Sequence, residues 1–485
     1  MSASLILCSF LLYTLLLFVI GFITARKSDN ESYFLGNRKS PWFVVAYGMI
    51  GASLSGVTFI SVTGWVENAG FSYMMVVFGY LIGYFVIAKI LLPLYYRLQL
   101  TSIYTYLLDR FGRNSYKTGA FYFLLSRVIG ASFRMFLVIN VLQIFVFDAY
   151  DIPFWLTVVI FMILMNLYTF KGGIKTIVWT DTLQTTFMLA SVIITFIILK
   201  DQLNLDLGGL ASRIAESDYS KMVFTDWQDK RFFVKEFISG TFIAIVMTGL
   251  DQDMMQKNLS CKNLRDAQKN IITLSWILVP VNFLFLSLGA ALMIFVGEKG
   301  IEFSGTSDML FPHIALLHLG PVAGIVFIIG LISAAYSSAD SALTALTTSF
   351  SVDILGINRN SKLSEKQRKH IRYKAHFGIA LLLVLVIVLF KSINNESVIS
   401  ELFTVAGYTY GPLLGLFAFG LFTRRRVKDR WVPIIAILSP VICYGLSHFS
   451  TQLLWGYKFG FELLILNGLL TFLGLMLLSA KPKHH

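Results

Sequence analysis

Cysteine is nearly absent from this chain. Its 485 residues include only Cys8, Cys261 and Cys443, far apart and with no CxxC pair. Such spacing builds neither a disulfide framework nor a thiolate metal centre, so the three read as small apolar residues. Histidine does not fill the gap, because the seven are scattered and His484 and His485 sit at the terminus. Without a metal-ligand or nucleophile cluster there is no footing for an enzyme. Charge is scarce as well, at 14% of residues against 56% hydrophobic, and the mean hydropathy is +0.71. A soluble protein of this length could not hide so much apolar surface from water.

Acidic residues are the scarcer sign, 27 against 40 basic, for a formal charge of +13. In a soluble protein that excess would suggest nucleic acid. Here the basic residues lie in short loops between apolar runs, as orientation in a bilayer demands, and no nucleic-acid partner is expected. The alternation of a membrane barrel is missing, so the spans are helical. No sizeable soluble domain fits between them, and residues 1–485 read as one membrane domain.

Crossing the hydrocarbon core takes ~20 apolar residues. Thirteen segments qualify, near 4–25, 42–67, 71–96, 117–146, 152–170, 174–199, 236–257, 269–297, 319–354, 369–391, 396–422, 430–450 and 462–480. The first is too long for a signal core, lacks a basic flank ahead of it and is read as a retained span. Basic residues follow the odd-numbered segments: Arg26 and Lys27 the first, Arg97 and Arg110 the third, Lys171 and Lys175 the fifth. Lys257 and Lys262 follow the seventh, Arg359 to Lys374 the ninth, and Arg424 to Arg430 the eleventh. This predicts an amino terminus outside the cell and a cytoplasmic carboxyl terminus in an inner, or plasma, membrane.

A few spans are irregular. The second contains Gly51-Ala52-Ser53-Leu54-Ser55-Gly56-Val57-Thr58, small and polar at mid-membrane depth. That run suits either close helix packing or a broken helix whose freed carbonyls line a cavity. In the ninth, Ser337, Asp340, Ser341 and Thr344 recur at helical spacing and form one oxygen-rich stripe. Asp181 adds a second intramembrane carboxylate in the sixth. Buried acids with hydroxyls suit a hard cation or a proton relay. Arg134 lies mid-span in the fourth, where it either pairs with an internal Asp or offers a guanidinium fork to a substrate carboxylate. Arg127 is near enough to the cytoplasmic end to snorkel. Asp251-Gln252-Asp253 with Gln256 ends the seventh span, where Asp251 and Gln252 could reach a central cavity. Tyr408, Tyr410, Gly411, Pro412 and Gly415 interrupt the eleventh and suggest a hinge.

The run from Gly172-Gly173 through Trp179-Thr180-Asp181 to Gln184 resembles the Gly-Gly…Trp-Thr-Asp-x-x-Gln signature of the sodium:solute symporter family. Gln252 to Lys257 is similar to that family's Gln-x-x-x-Gln-Arg segment. Ser337-Ser338 with Val352-Asp353-Ile354, and Gly407 to Arg426, resemble two further landmarks.

The resemblance implies an all-α membrane protein with a five-plus-five inverted-repeat core of the leucine-transporter type. The repeats would be 42–199 and 236–422, preceded by one helix within 1–41 plus its loop and followed by two in 430–485. It implies a coupling sodium ion on backbone oxygens of Gly51, Leu54 and Ala334 and the hydroxyls of Ser337 and Ser338. A second sodium, known in some members, would fall on Asp181, Ser337, Asp340 and Ser341, although Asp340 replaces a serine of that pattern. The solute would meet Ser53, Ser55, Thr58, Arg134, Asp251 and Gln252. Sodium-coupled symport of a small organic anion, sialic acid among the candidates, is therefore expected, with a single chain as the transport unit. A neutral solute, or a transporter-like sensor, is the alternative.

Overall fold

The structure is a computed structural model and describes residues 3–24, 30–303, 305–392 and 398–480. Among the described residues, nine helices are long and apolar enough to cross a bilayer, and two bent helix pairs supply two further spans. With the shorter helices Phe154–Leu167 and Leu463–Leu477, they match the thirteen expected segments one to one.

In chain order the spans are α1 (Ala3–Thr24), α2a (Trp42–Ser53) with α2b (Thr63–Ala69), α3 (Tyr73–Arg97) and α4 (Arg113–Leu142). Next come α5 (Phe154–Gly172), α6 (Ile174–Gln202), α7a (Phe233–Ala244) with α7b (Gln252–Leu259), α8 (Leu264–Lys299) and α9 (Pro321–Ser349). The chain closes with α10 (Glu365–Lys391), α11 (Val398–Phe422), α12 (Val432–His448) and α13 (Leu463–Leu477). The charge-mixed segment after α6 carries a short helix, Leu207–Glu216, whose first turn is capped by Asp206 accepting from Gly209 N at 2.7 Å.

Two spans break, and each bends by 64°. In the second, α2a stops at Ser53, and the stretch to Val57 is rich in Ser and Gly, weak formers of helix interior. The seventh span breaks at Gly249-Leu250-Asp251, although the sequence reading had it end there. Asp251 adopts extended backbone and restarts the helix as an N-cap, accepting from Asp253 N at 2.9 Å and Met254 N at 3.4 Å. The freed carbonyls find donors: Tyr95 gives its hydroxyl to Gly249 O at 2.8 Å and Tyr104 to Leu250 O at 2.9 Å. An irregular backbone survives at membrane depth only when satisfied in this way.

Glycines bring α3 and α7a together. A Cβ on Gly79 would collide with the Phe237 carbonyl, and one on Gly240 with the Val76 carbonyl. The eleventh span is not interrupted but runs as one continuous helix. Pro412 cannot donate to the Tyr408 carbonyl four residues back, and Asn467 of α13 does so in its place at 2.9 Å, bonding Gly407 O at 2.9 Å as well. Gly411 and Gly415 leave room for Asn467 and Thr471, so these residues serve the α11–α13 contact.

Candidate functional site

A cavity opens where the α2 break faces α3, α4, α7 and α11, and it is lined by Ser53, Ser55, Thr58, Tyr73 and Arg134 among others. Four of the six residues expected at the solute thus meet in one place. Arg134 is 8% exposed, makes no side-chain hydrogen bond and has no carboxylate within 4 Å among the described residues; its Nε is buried without a partner. A buried guanidinium is rarely left unpaired, because taking its charge out of water costs several kcal/mol, of order 20 in the idealised limit.

The internal ion pair belongs to Arg127. The reading of Arg127 as a snorkelling residue is corrected, because it is 4% exposed, ion-paired with Asp253, and has its Nη1 3.9 Å from Asp251 Oδ2. Tyr410 donates its hydroxyl to Asp251, whose other oxygen caps α7b. Gln252 accepts from Ile103 N at 3.0 Å and donates to Thr101 O at 2.8 Å. Asp251 and Gln252, expected at the solute, therefore do not line the cavity. Their polar atoms are committed to restarting α7b and to fastening the 98–104 turn beneath it.

The expected cation ligands lie on α2a, α6 and α9. Gly51 packs so closely on α6 that a Cβ there would strike Thr185 Oγ1, and that position is 3.4 Å from Ser337 Oγ. Thr185 Oγ1 accepts from Gly51 N at 3.1 Å and fixes the end of α2a. Leu54 begins the break, its N–H still bonded to Ile50 O at 2.8 Å. Ser338 gives its hydroxyl to the carbonyls of Ala334 and Ala335, both at 3.1 Å. Ser337 donates to Asp181 Oδ1 at 2.8 Å. Asp340 accepts from Ser341 N at 2.6 Å, and Ser341 Oγ is buried without a partner.

The family model of the sodium:solute symporters matches residues 33–429. The chain belongs to the sodium:solute symporter family. It is a multi-pass membrane protein that moves a solute together with sodium, the coupling ion; the family is not one of enzymes. The symporter is 26% identical to a sodium/sialic acid symporter of Aliivibrio fischeri, over 87% of this chain and 83% of that one. It is 24% identical to a sodium/sialic acid symporter of Proteus mirabilis, over 88% and 87%. Against the sodium-coupled monocarboxylate transporter 1 of Xenopus laevis the identity is 26%, over 85% and 67%. Its fold matches the substrate-bound, outward-open state of a sodium-coupled sialic acid symporter with a TM-score of 0.83, at 18% identity and 99% of both chains. A nucleobase-cation-symport-1 family transporter in a closed conformation follows with a TM-score of 0.56 at 16% identity, over 91% and 92%.

The symporter also holds a residue that the sequence reading misplaced. Lys257, taken as a cytoplasmic loop charge after the seventh span, is 1% exposed, and its ammonium lies 2.6 Å from Asp181 Oδ2. The helix restart at Asp251 carries it back into the bundle. The available signal was the pair of buried acids, Asp181 and Asp340, which called for a cation within reach.

Proposed function

We propose that this symporter couples sodium to the uptake of a small organic anion, and that Arg134 receives the carboxylate. The observation that carries this reading is the unpaired, buried guanidinium of Arg134 on the central cavity. A solute carboxylate can accept its fork through two parallel charge-assisted hydrogen bonds. Hydroxyls of Ser53, Ser55, Thr58 and Tyr73 around the same space favour a polar body on the acid, and sialic acid, the solute named for two relatives, is one candidate. The hydroxyl lining alone would also suit a neutral sugar, the second reading, but a sugar would leave Arg134 uncompensated.

The coupling sodium is assigned to the oxygens of Gly51, Leu54 and Ala334 and the hydroxyls of Ser337 and Ser338. The two equal bends support the division into repeats 42–199 and 236–422, because each falls in the first span of its repeat. The charge alternation supports an external amino terminus. Transport then proceeds by alternating access: sodium holds α2a against α9, the cavity accepts the acid, and the loaded bundle then opens to the other side. Sodium drives the solute only if it favours the solute-competent state.

Uptake into proteoliposomes tests this directly. Sodium-driven accumulation of an acid should vanish in Arg134→Ala and return only weakly in Arg134→Lys, because a point charge does not replace a fork. Unchanged acid affinity in Arg134→Ala would remove the residue from the site.

A further inference from the structure

The family resemblance places a second sodium ion on Asp181 and Ser337, but the carboxylate is already engaged. Asp181 Oδ2 holds the Lys257 ammonium at 2.6 Å. Its Oδ1 accepts the Ser337 hydroxyl at 2.8 Å and, with the Gln184 amide nitrogen turned toward it, Gln184 at 3.2 Å. Asp181 and Lys257 are each 1% exposed. A sodium ion settling on this carboxylate would have to displace an ammonium at contact distance or share one negative charge with it. In a site shielded from water, two like charges that close repel strongly. Of the two acids expected at that site, Asp340 accepts from Ser341 N at 2.6 Å on its own helix, and Asp181 does not fit a second sodium while Lys257 holds it.

We propose that Lys257 is a tethered cation that takes the place of a second sodium, leaving one sodium ion per transport cycle. This rests on the sodium site assigned above, and it adds a role for that site's neighbours. Ser337 spends its only proton on Asp181, so its lone pairs are left for the side where Gly51 lies, with the Gly51 Cβ position 3.4 Å away. A hydroxyl fixed in that sense is an oxygen ligand to a hard cation. Lys257, by holding Asp181, is a positioning residue for the ion that remains. The ammonium also ties α7b to α6, so charge balance is built into the chain that the α7 break folds back.

The test counts sodium without any solute. Equilibrium binding of radioactive sodium to the purified full-length protein should reach one ion per chain with a Hill coefficient near 1. Lys257→Met leaves Asp181 without its cation, and binding should rise toward two ions with a Hill coefficient above 1. Lys257→Arg keeps the charge and should stay at one. Two ions on the wild-type protein would overturn the proposal while leaving sodium coupling intact. One ion on both the wild type and Lys257→Met would overturn it too, because the lysine would then exclude nothing. No sodium on the wild type would defeat the sodium site itself. If Lys257→Met does not fold, Lys257→Gln, which also removes the charge but keeps a polar side chain, takes its place, and one ion there as well would overturn the proposal.

Discussion

Arg127 and Asp253 form a buried ion pair, and Arg127 shares the lining of the central cavity with Arg134. Seven residues apart on α4, the two arginines divide the work: one is compensated by the protein and the other is left open. Removing one partner of a buried pair strands a charge and typically costs ~3–5 kcal/mol. Arg127→Ala should therefore lower the unfolding temperature sharply, whereas Arg134→Ala should leave it near the wild-type value. Thermal unfolding in detergent measures both. Equal losses would mean that Arg134 is also structural.

Sodium dependence is expected to reside on α9. Ser337→Ala combined with Ser338→Ala removes both hydroxyls assigned to the ion and should abolish the stabilisation by sodium while the protein still folds. The readout is the unfolding temperature in sodium against potassium. A double variant still stabilised by sodium would move the ion elsewhere.

Gly51 is constrained by contact. Its Cβ would meet Thr185 Oγ1, so Gly51→Ala should push α2a from α6 and weaken sodium binding, with an overpacking cost of ~1–3 kcal/mol. Adding Thr185→Ala removes the clashing atom and should recover part of the affinity. A sodium titration of both variants checks this, and no recovery would mean that the α2a–α6 spacing is not what matters.

The α3–α7a contact tolerates no side chain on its glycines, because the obstacle at Gly240 is the Val76 backbone carbonyl, which cannot swing away. Gly240→Val should prevent recovery of monodisperse protein, whereas Gly445→Ala, with nothing within 4 Å, should be silent. Size-exclusion profiles separate the outcomes.

Hydropathy made the spans legible, because a bilayer demands long apolar runs and the loops between them carry the basic residues. The polar run at Gly51 to Thr58 marked an irregular span but suited close packing as well as a broken helix, and the structure shows the break. The α7 break was harder to see. Gln252 to Leu259 is polar, so a hydropathy window reads it as the membrane edge, yet it is a buried helix held by an Asp251 cap. With that helix read as an interface, Lys257 became a loop charge, and Asp251 and Gln252 became candidates for the solute. Which of two arginines on one helix is paired depends on a contact more than a hundred residues away in sequence, and local pattern carries no trace of it.

The most direct test of sodium-coupled anion transport is thermal unfolding of the purified symporter in sodium and in potassium, with a panel of acidic and neutral solutes. A ligand at 100 times its dissociation constant adds ~2.7 kcal/mol to native stability. Stabilisation by an organic acid, present in sodium and absent in potassium and in Arg134→Ala, is the predicted result. Stabilisation by a neutral solute in place of acids, or equal behaviour in the two salts, would contradict it.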